Sequence, residues 1–441
     1  MLNELKIQRT LFLAASLAAL SACGGSSGSS TTNDDTDNGV SAGNKVSELS
    51  EVPSSICTGV KSAEFNCADM LTSLVNNAVI PTVDELAVEL TALDTEVTQY
   101  CASIDQEEEA NQLSAAKTQW QQAMAVWQQL EVMQFGQIAE QRDNFYSWPL
   151  NDECKVDVDV VLGQANDYDI ATRTAPRRGL DALEYLLFDN DLVNDKLHVR
   201  CQTVGAGRIT NVPGLLEWDD LTLLEQKTQR CKQSNNITRH LITRAETLKQ
   251  SITAGVFDES VTTYQDAADS ISDALFYIDK NTKDVKANKA LPASPSGSFN
   301  TGHLESQYAQ VSLSNIHNNL LGAKLLMTAN GNIGFHDFLV AADQEDLANR
   351  MVSNLDLAII ASSESEISED EATKSLFSII DTAPLDQRTN CINAVAGETS
   401  LLGKVCALGT PVIQAFTSDL KNQFVLTLNF TVPSSAEGDN D

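Results

Sequence analysis

The chain has 441 residues, of which 61 are Asp or Glu and 29 are Lys or Arg, for a formal net charge of −32 at neutral pH. So acidic a surface repels phosphate backbones and draws cations, which excludes nucleic acid as a partner. The acidity serves solubility or a salty medium, or else the ligand chemistry itself, and a chain of this length can bury a real core.

The N-terminus reads as an export signal. Lys6 and Arg9 precede an apolar run from Leu11 to Leu20, which is too short to cross about 30 Å of hydrocarbon. Leu20-Ser21-Ala22-Cys23 resembles the lipobox of bacterial lipoproteins. That resemblance implies cleavage after residue 22, a palmitate-bearing lipid on Cys23, and attachment to a lipid membrane. Gly24, where an aspartate would retain the protein, implies sorting to the outer membrane, facing the periplasm or the cell exterior. Residues 24–43 hold almost no apolar side chain, so nothing there repays the entropy of ordering. The expected organisation is a signal peptide over 1–22, then an acylated cysteine and disordered linker over 23–51.

With Cys23 lipidated, Cys57, Cys67, Cys101, Cys154, Cys201, Cys231, Cys391 and Cys406 remain. An even set in an exported chain predicts up to four disulfides. The absence of Cys-x-x-Cys and the wide spacings argue against zinc. Cys57 with Cys67, and Cys391 with Cys406, would each close a short loop.

From residue 66 the apolar period is helical nearly throughout. Leu71, Leu74, Val75, Ala78 and Val79, continued by Val83, Leu86, Leu90, Leu93 and Val97, predict helix over 66–100, with a kink or break at Pro81. Ala116, Trp120, Ala123, Trp127 and Leu130 form one face of a helix over 110–134 and are core candidates. Further helices are expected at 155–164, 177–188, 220–250 and 258–283. Residues 290–300 combine two prolines and a glycine in a polar stretch, which is boundary composition. Helices resume at 308–329, 333–341, 343–361, 367–377 and 393–424. The fold class is all-α, as two packed helical bundles over 52–290 and 291–430, with a disordered tail over 431–441. Gly179 to Leu187 and Gly334 to Leu339 could be corresponding short helices of the two halves.

Asp181 and Glu184, three apart near a helix start, point to one face while Leu180, Leu183 and Leu187 form the neighbouring stripe. Such a pair is either solvated acids favoured by the helix dipole or a carboxylate site for a hard cation or a basic group.

Gly179-x-Asp181-x-x-Glu184, followed by Tyr185-Leu186-Leu187-Phe188, resembles the Gly-x-His-x-x-Glu segment of the imelysin family. Supporting segments are Trp120 and Trp127 leading to Glu131, Phe135 and Gly136; Ser147-Trp148-Pro149-Leu150; and Gly334-Phe335-His336-Asp337-Phe338-Leu339. The resemblance covers about 65–430. It implies an all-α protein of two bundle-like domains, with a role in iron or other metal acquisition and a metallopeptidase classification. Here the family histidine falls on Asp181. Its carboxylate can hold a hard metal but lacks the imidazole that suits iron or zinc. Glu131 is a third candidate ligand for a divalent or ferric ion. Arg177, Arg178, Trp148, His336 and Asp337 are candidates for contact with the acids or a ligand, and either arginine could instead neutralise the site.

Peptidase chemistry finds little in the sequence. None of His198, His240, His303, His317 and His336 has another histidine four residues away, and no three-ligand zinc pattern is evident. The reading that follows is a membrane-tethered protein that binds a metal ion, a metal complex or another small ligand, with a membrane transport partner to receive it. The alternative is a structural or protein-interaction lipoprotein that has lost the family site.

Overall fold

Where apolar residues recur three and four apart, the chain is helical. The computed structural model describes residues 43–50, 57–62, 64–189, 221–363, 367 and 375–433. The leader, Cys23, His198 and Cys201 lie outside these residues. Helices α1 (Cys67–Leu74) and α2 (Ile80–Ser103) run on as one rod through a wide turn at Val75–Val79. Pro81 sits in the first turn of α2, and the wide turn spans Asn77, whose carbonyl a proline ring would otherwise strike.

Next come α3 (Glu109–Glu131), α4 (Gly136–Phe145), α5 (Glu153–Leu162) and α6 (Leu180–Phe188). Helix α4 was not expected from the sequence, because Ile138 and Phe145 are its only apolar residues in the core. Helix α7 (Leu223–Ala254) opens on a capping box between Thr222 and Glu225. Helix α8 (Tyr264–Tyr277) continues as a π-helical run, Ile278–Asn288. Beyond the loop that follows lie α9 (Ser312–Thr328), α10 (Phe335–Ala341) and α11 (Glu345–Ala361).

The helix expected over 393–424 is broken. Helix α12 (Leu376–Asp381) and α13 (Arg388–Ile392) precede a loop, and α14 (Leu401–Ala407) starts only at the Ser400 cap. The Cys391–Cys406 disulfide folds this stretch back on itself. Thr410 then leaves helical geometry ahead of Pro411 before α15 (Gln414–Asp419) and α16 (Val425–Leu428) resume. Most of the helix expected at 367–377 lies outside the described residues.

Among the described residues there is no strand; Asn44 with Phe257 and Ser50 with Thr263 are isolated bridges. These bridges hold residues 43–50 against residues 257–263. Thr431 is likewise held, its N–H and hydroxyl bonding Asp269 at 2.9 and 2.8 Å. No described helix is long and apolar enough to cross a membrane.

One continuous core draws on helices from both sides of the 290–300 loop. Helix α3 occupies the joint, packing on α2 and on α9. Gly322 permits that approach, since a Cβ there would come within 2.3 Å of the Gln129 carbonyl. Trp120 and Trp127 are fully buried in α3; the first donates to the Leu180 carbonyl at 3.0 Å and the second stacks on Phe145. Disulfides join Cys57 to Cys67, Cys391 to Cys406, and Cys101 on α2 to Cys231 on α7. Cys154 is also disulfide-bonded.

Candidate functional site

Helix α6 is apolar on nearly every side, so its two acids are carried into the interior with it. Every residue from Leu180 to Leu187 is buried, Asp181 and Glu184 included. Gly179 allows the close start of this helix: a Cβ would lie 2.4 Å from Asp181 Oδ1 and 2.9 Å from the Phe145 carbonyl. The Ser147 hydroxyl donates a short hydrogen bond to Asp181 Oδ2. Glu184 Oε1 accepts the backbone N–H groups of Tyr308 and Ala309 at 3.0 and 2.9 Å. Burial raises the Asp181 carboxyl to about 6, against its hydrogen bonds from Ser147 and the backbone. Burial also raises Glu184 to about 8, and neighbouring Glu305 and Asp181 add to that rise. Neither acid is the solvated surface group that a helix-start carboxylate usually is.

Beside this pair lies a buried network that joins the two halves of the chain. Glu131, at the end of α3, meets Lys286 at 2.8 Å and Arg142 at 3.1 Å. Burial pushes the Glu131 carboxyl up, but the two cations outweigh it and hold the group below its ordinary range. Lys286 also meets Glu305 at 3.1 Å and donates to Gln128 at 2.6 Å, while Gln128 donates to Glu305 at 3.1 Å. Glu305 is raised by burial, and its Oε2 has no hydrogen-bond partner among the described residues.

The residues singled out in the sequence therefore have different fates. Asp181 and Glu184 come together with Glu305 near them, whereas Glu131 is engaged by Lys286 and Arg142. Arg177 pairs with Asp159 at 2.7 Å, and Arg178 bonds Asn144 at 2.6 Å and the Ala171 carbonyl, so these contacts direct both arginines away from the acid pair. The Trp148 carbonyl accepts from Arg142 at 2.7 Å, and its side chain lines a polar pocket with Glu153, Lys289, His303, Gln307 and Tyr308. His336 bonds Asn349 at 3.1 Å, and Asp337 caps Gly334 at 3.0 Å. Elsewhere, His317 bonds the Ile359 carbonyl at 3.0 Å, and burial lowers His240 to about 4. Among the described residues no three His, Cys, Asp or Glu side chains stand together as a ready metal cage.

Glu305, Lys286, Arg142 and Gln128 escaped the sequence reading. Lys286 offered a signal, as Lys283 and Lys286 fall among buried residues of one helical run with Ile278 and Ala287. Glu305 lies in a loop whose sequence carries no period.

The family model for imelysin, peptidase M75, matches residues 79–400. The chain belongs to the imelysin family. Among solved structures, this imelysin-family chain is similar to an imelysin-like protein from Psychrobacter arcticum 273-4, at 17% identity and a TM-score of 0.51, covering 85% of this chain and 99% of that one. A protein from Parabacteroides distasonis ATCC 8503, named as an iron-regulated protein A precursor, is also 17% identical, with a TM-score of 0.49 and the same coverage of 85% and 99%. None of the curated proteins matches the chain. The first of these likenesses bears on the fold, which is all-α and imelysin-like.

Proposed function

We propose that this chain is an exported binding protein of metal acquisition, iron above all, held to the outer membrane through a lipid on Cys23. Its cargo, a metal ion, metal complex or other small ligand, docks at Asp181 and Glu184 with Glu305 beside them. The observation that carries this reading is a pair of buried carboxyls that no cation contacts among the described residues. Burying such groups costs stability, and strongly shifted acids gather at working sites. Carboxylate oxygens suit hard ions. A metal entering here must displace protons, because burial keeps Glu184 largely protonated at pH 7.

Calorimetry on the full chain with Fe²⁺, Mn²⁺, Zn²⁺ and Ca²⁺, in buffers of different ionisation enthalpy, tests the reading. The expected result is saturable one-site binding with release of about one proton per ion at pH 7, lost in the Asp181→Asn, Glu184→Gln variant. If neither an ion nor a ferric complex binds above the level of a generic acidic surface, the proposal fails.

One observation favours a second reading, in which the protein is a structural or interaction lipoprotein. Glu184 already holds two backbone N–H groups of the loop before α9, and so acts as a staple between the halves. On that reading the double variant loses stability and no ligand binds.

A further inference from the structure

A cavity of about 370 Å³ lies against the C-terminal end of α8 and takes in neither Asp181 nor Glu184. Its lining includes Gln134, Arg142, Asp273, Tyr277, Lys280 and Asn281. Asp273, Tyr277 and Asn281 recur four apart, down one face of α8 and the π-helical run that continues it. Gln134 follows α3, and Arg142 belongs to α4.

Oδ1 of Asp273 is shut off from solvent and has no hydrogen-bond partner among the described residues. Buried polar atoms are seldom left so. Burial, with Asp269 one turn back, raises this carboxyl to about 7, and a cation beside it would lower it again. Two further acceptors share the lining. Gln134 gives its Nε2 to the Glu131 carbonyl at 2.8 Å, which leaves its Oε1 to accept. The Asn281 side chain has no hydrogen bond among the described residues.

One carboxylate and two amide oxygens match the three N–H donors of an ammonium group. They fall short of the six or so oxygens that a hard metal ion takes, and no cluster of three ligating side chains stands among the described residues. The cations decide the rest of the ligand. Lys280 is held by Asp279 at 3.6 Å and by Asp284 at 4.0 Å. Arg142 uses three of its five N–H groups on Glu131, Asp143 and the Trp148 carbonyl. It keeps two donors for an acceptor, and a ligand of positive charge alone would leave them unanswered.

We infer that this cavity binds a zwitterion of the α-amino-acid class, its ammonium on Asp273, Gln134 and Asn281 and its carboxylate toward Arg142 and Lys280. Pro149, Ala274 and Phe276 supply apolar lining for its side chain.

Calorimetry on the full chain with each of the common amino acids tests this, followed by analogues of the tightest binder that lack the amino group or the carboxylate. At least one amino acid is expected to bind saturably at one site, and removing either charge from it is expected to weaken binding about tenfold. Asp273→Asn is expected to weaken binding by about the same factor. Its melting temperature without ligand should hold or rise, since no described partner is lost and repulsion from Asp269 ends. Asn281→Ala, which removes no described hydrogen bond, serves as the second variant should Asp273→Asn fail to fold, and is expected to weaken binding about threefold. The inference is overturned if no amino acid binds, if either analogue binds as tightly as its parent, or if a folded variant binds like wild type. Any of these results leaves the metal reading as it stands, since that reading is tested at Asp181 and Glu184.

Discussion

Helices α6 and α10 each follow an extended glycine, Gly179 and Gly334, and each places a polar residue two positions on, Asp181 and His336. Their surroundings are opposite. Asp181 and Glu184 are almost wholly buried, whereas the His336 and Asp337 side chains are 29% and 45% exposed. The local start is the same, so it cannot be what decides. What differs is the rest of each helix: α6 presents leucine on several faces and cannot leave a polar side in water, while α10 keeps Val340 and its two polar residues outward. Buried acids near α6 therefore need partners or protons, and polar groups on α10 need neither.

The sharpest way to break this contrast is to remove one member of the network beside α6. Glu131→Ala or Lys286→Ala leaves the other charge buried and is expected to cost about 3–5 kcal/mol in chemical denaturation. Replacing both with methionine is expected to recover only part of that loss, because Glu305 and Arg142, which also pair with these two residues, stay behind. A loss of under about 1 kcal/mol in the single variants would mean that water reaches the network and that the contrast with α10 is overstated.

Titration gives the next largest effect. The folded-state value of Glu184 is about 8, above its ordinary 4.5, so the native state holds a proton that the unfolded chain has released. The stability from this proton is fully present below pH 4.5 and is lost as pH rises through about 8. Across that window the slope from this one group approaches 1.4 kcal/mol per pH unit. Asp181, raised to about 6, adds a similar slope between its ordinary 3.8 and 6. Glu184→Gln, which cannot ionise, is expected to flatten the pH 5 to 8 portion of the stability curve. An unchanged curve would show that Glu184 is ionised in the native protein.

The same contrast explains what the sequence disclosed. The period in α2 and the Trp120–Trp127 stripe announced core helices because burial repeats along one face. The glycine, aspartate and glutamate of α6 stood out as a motif, and the leucines around them could have told that the acids were interior. The partners of Glu131 were hidden, because Lys286 comes to it from a position 155 residues away through the packing of α3 on the second half. Helix α4 carries too few apolar residues to show a period. Over 393–400, the helical reading missed that Gly397 takes a positive φ and that the disulfide closes the loop.

The smallest effect belongs to α10, and it is the control for all the rest. His336→Ala removes a partly exposed hydrogen bond to Asn349, and surface changes of this kind usually stay within about 0.5 kcal/mol. Asp337→Ala removes the carboxylate that caps Gly334, which is expected to cost about 1 kcal/mol. Neither variant touches the residues around α6, so the fall in stability between pH 5 and pH 8 expected from Glu184 should persist in both. Chemical denaturation at pH 5 and pH 8 checks this directly. A change in slope from either variant would mean that α10 is coupled to the buried acids, and the two helices would then have to be treated as one site.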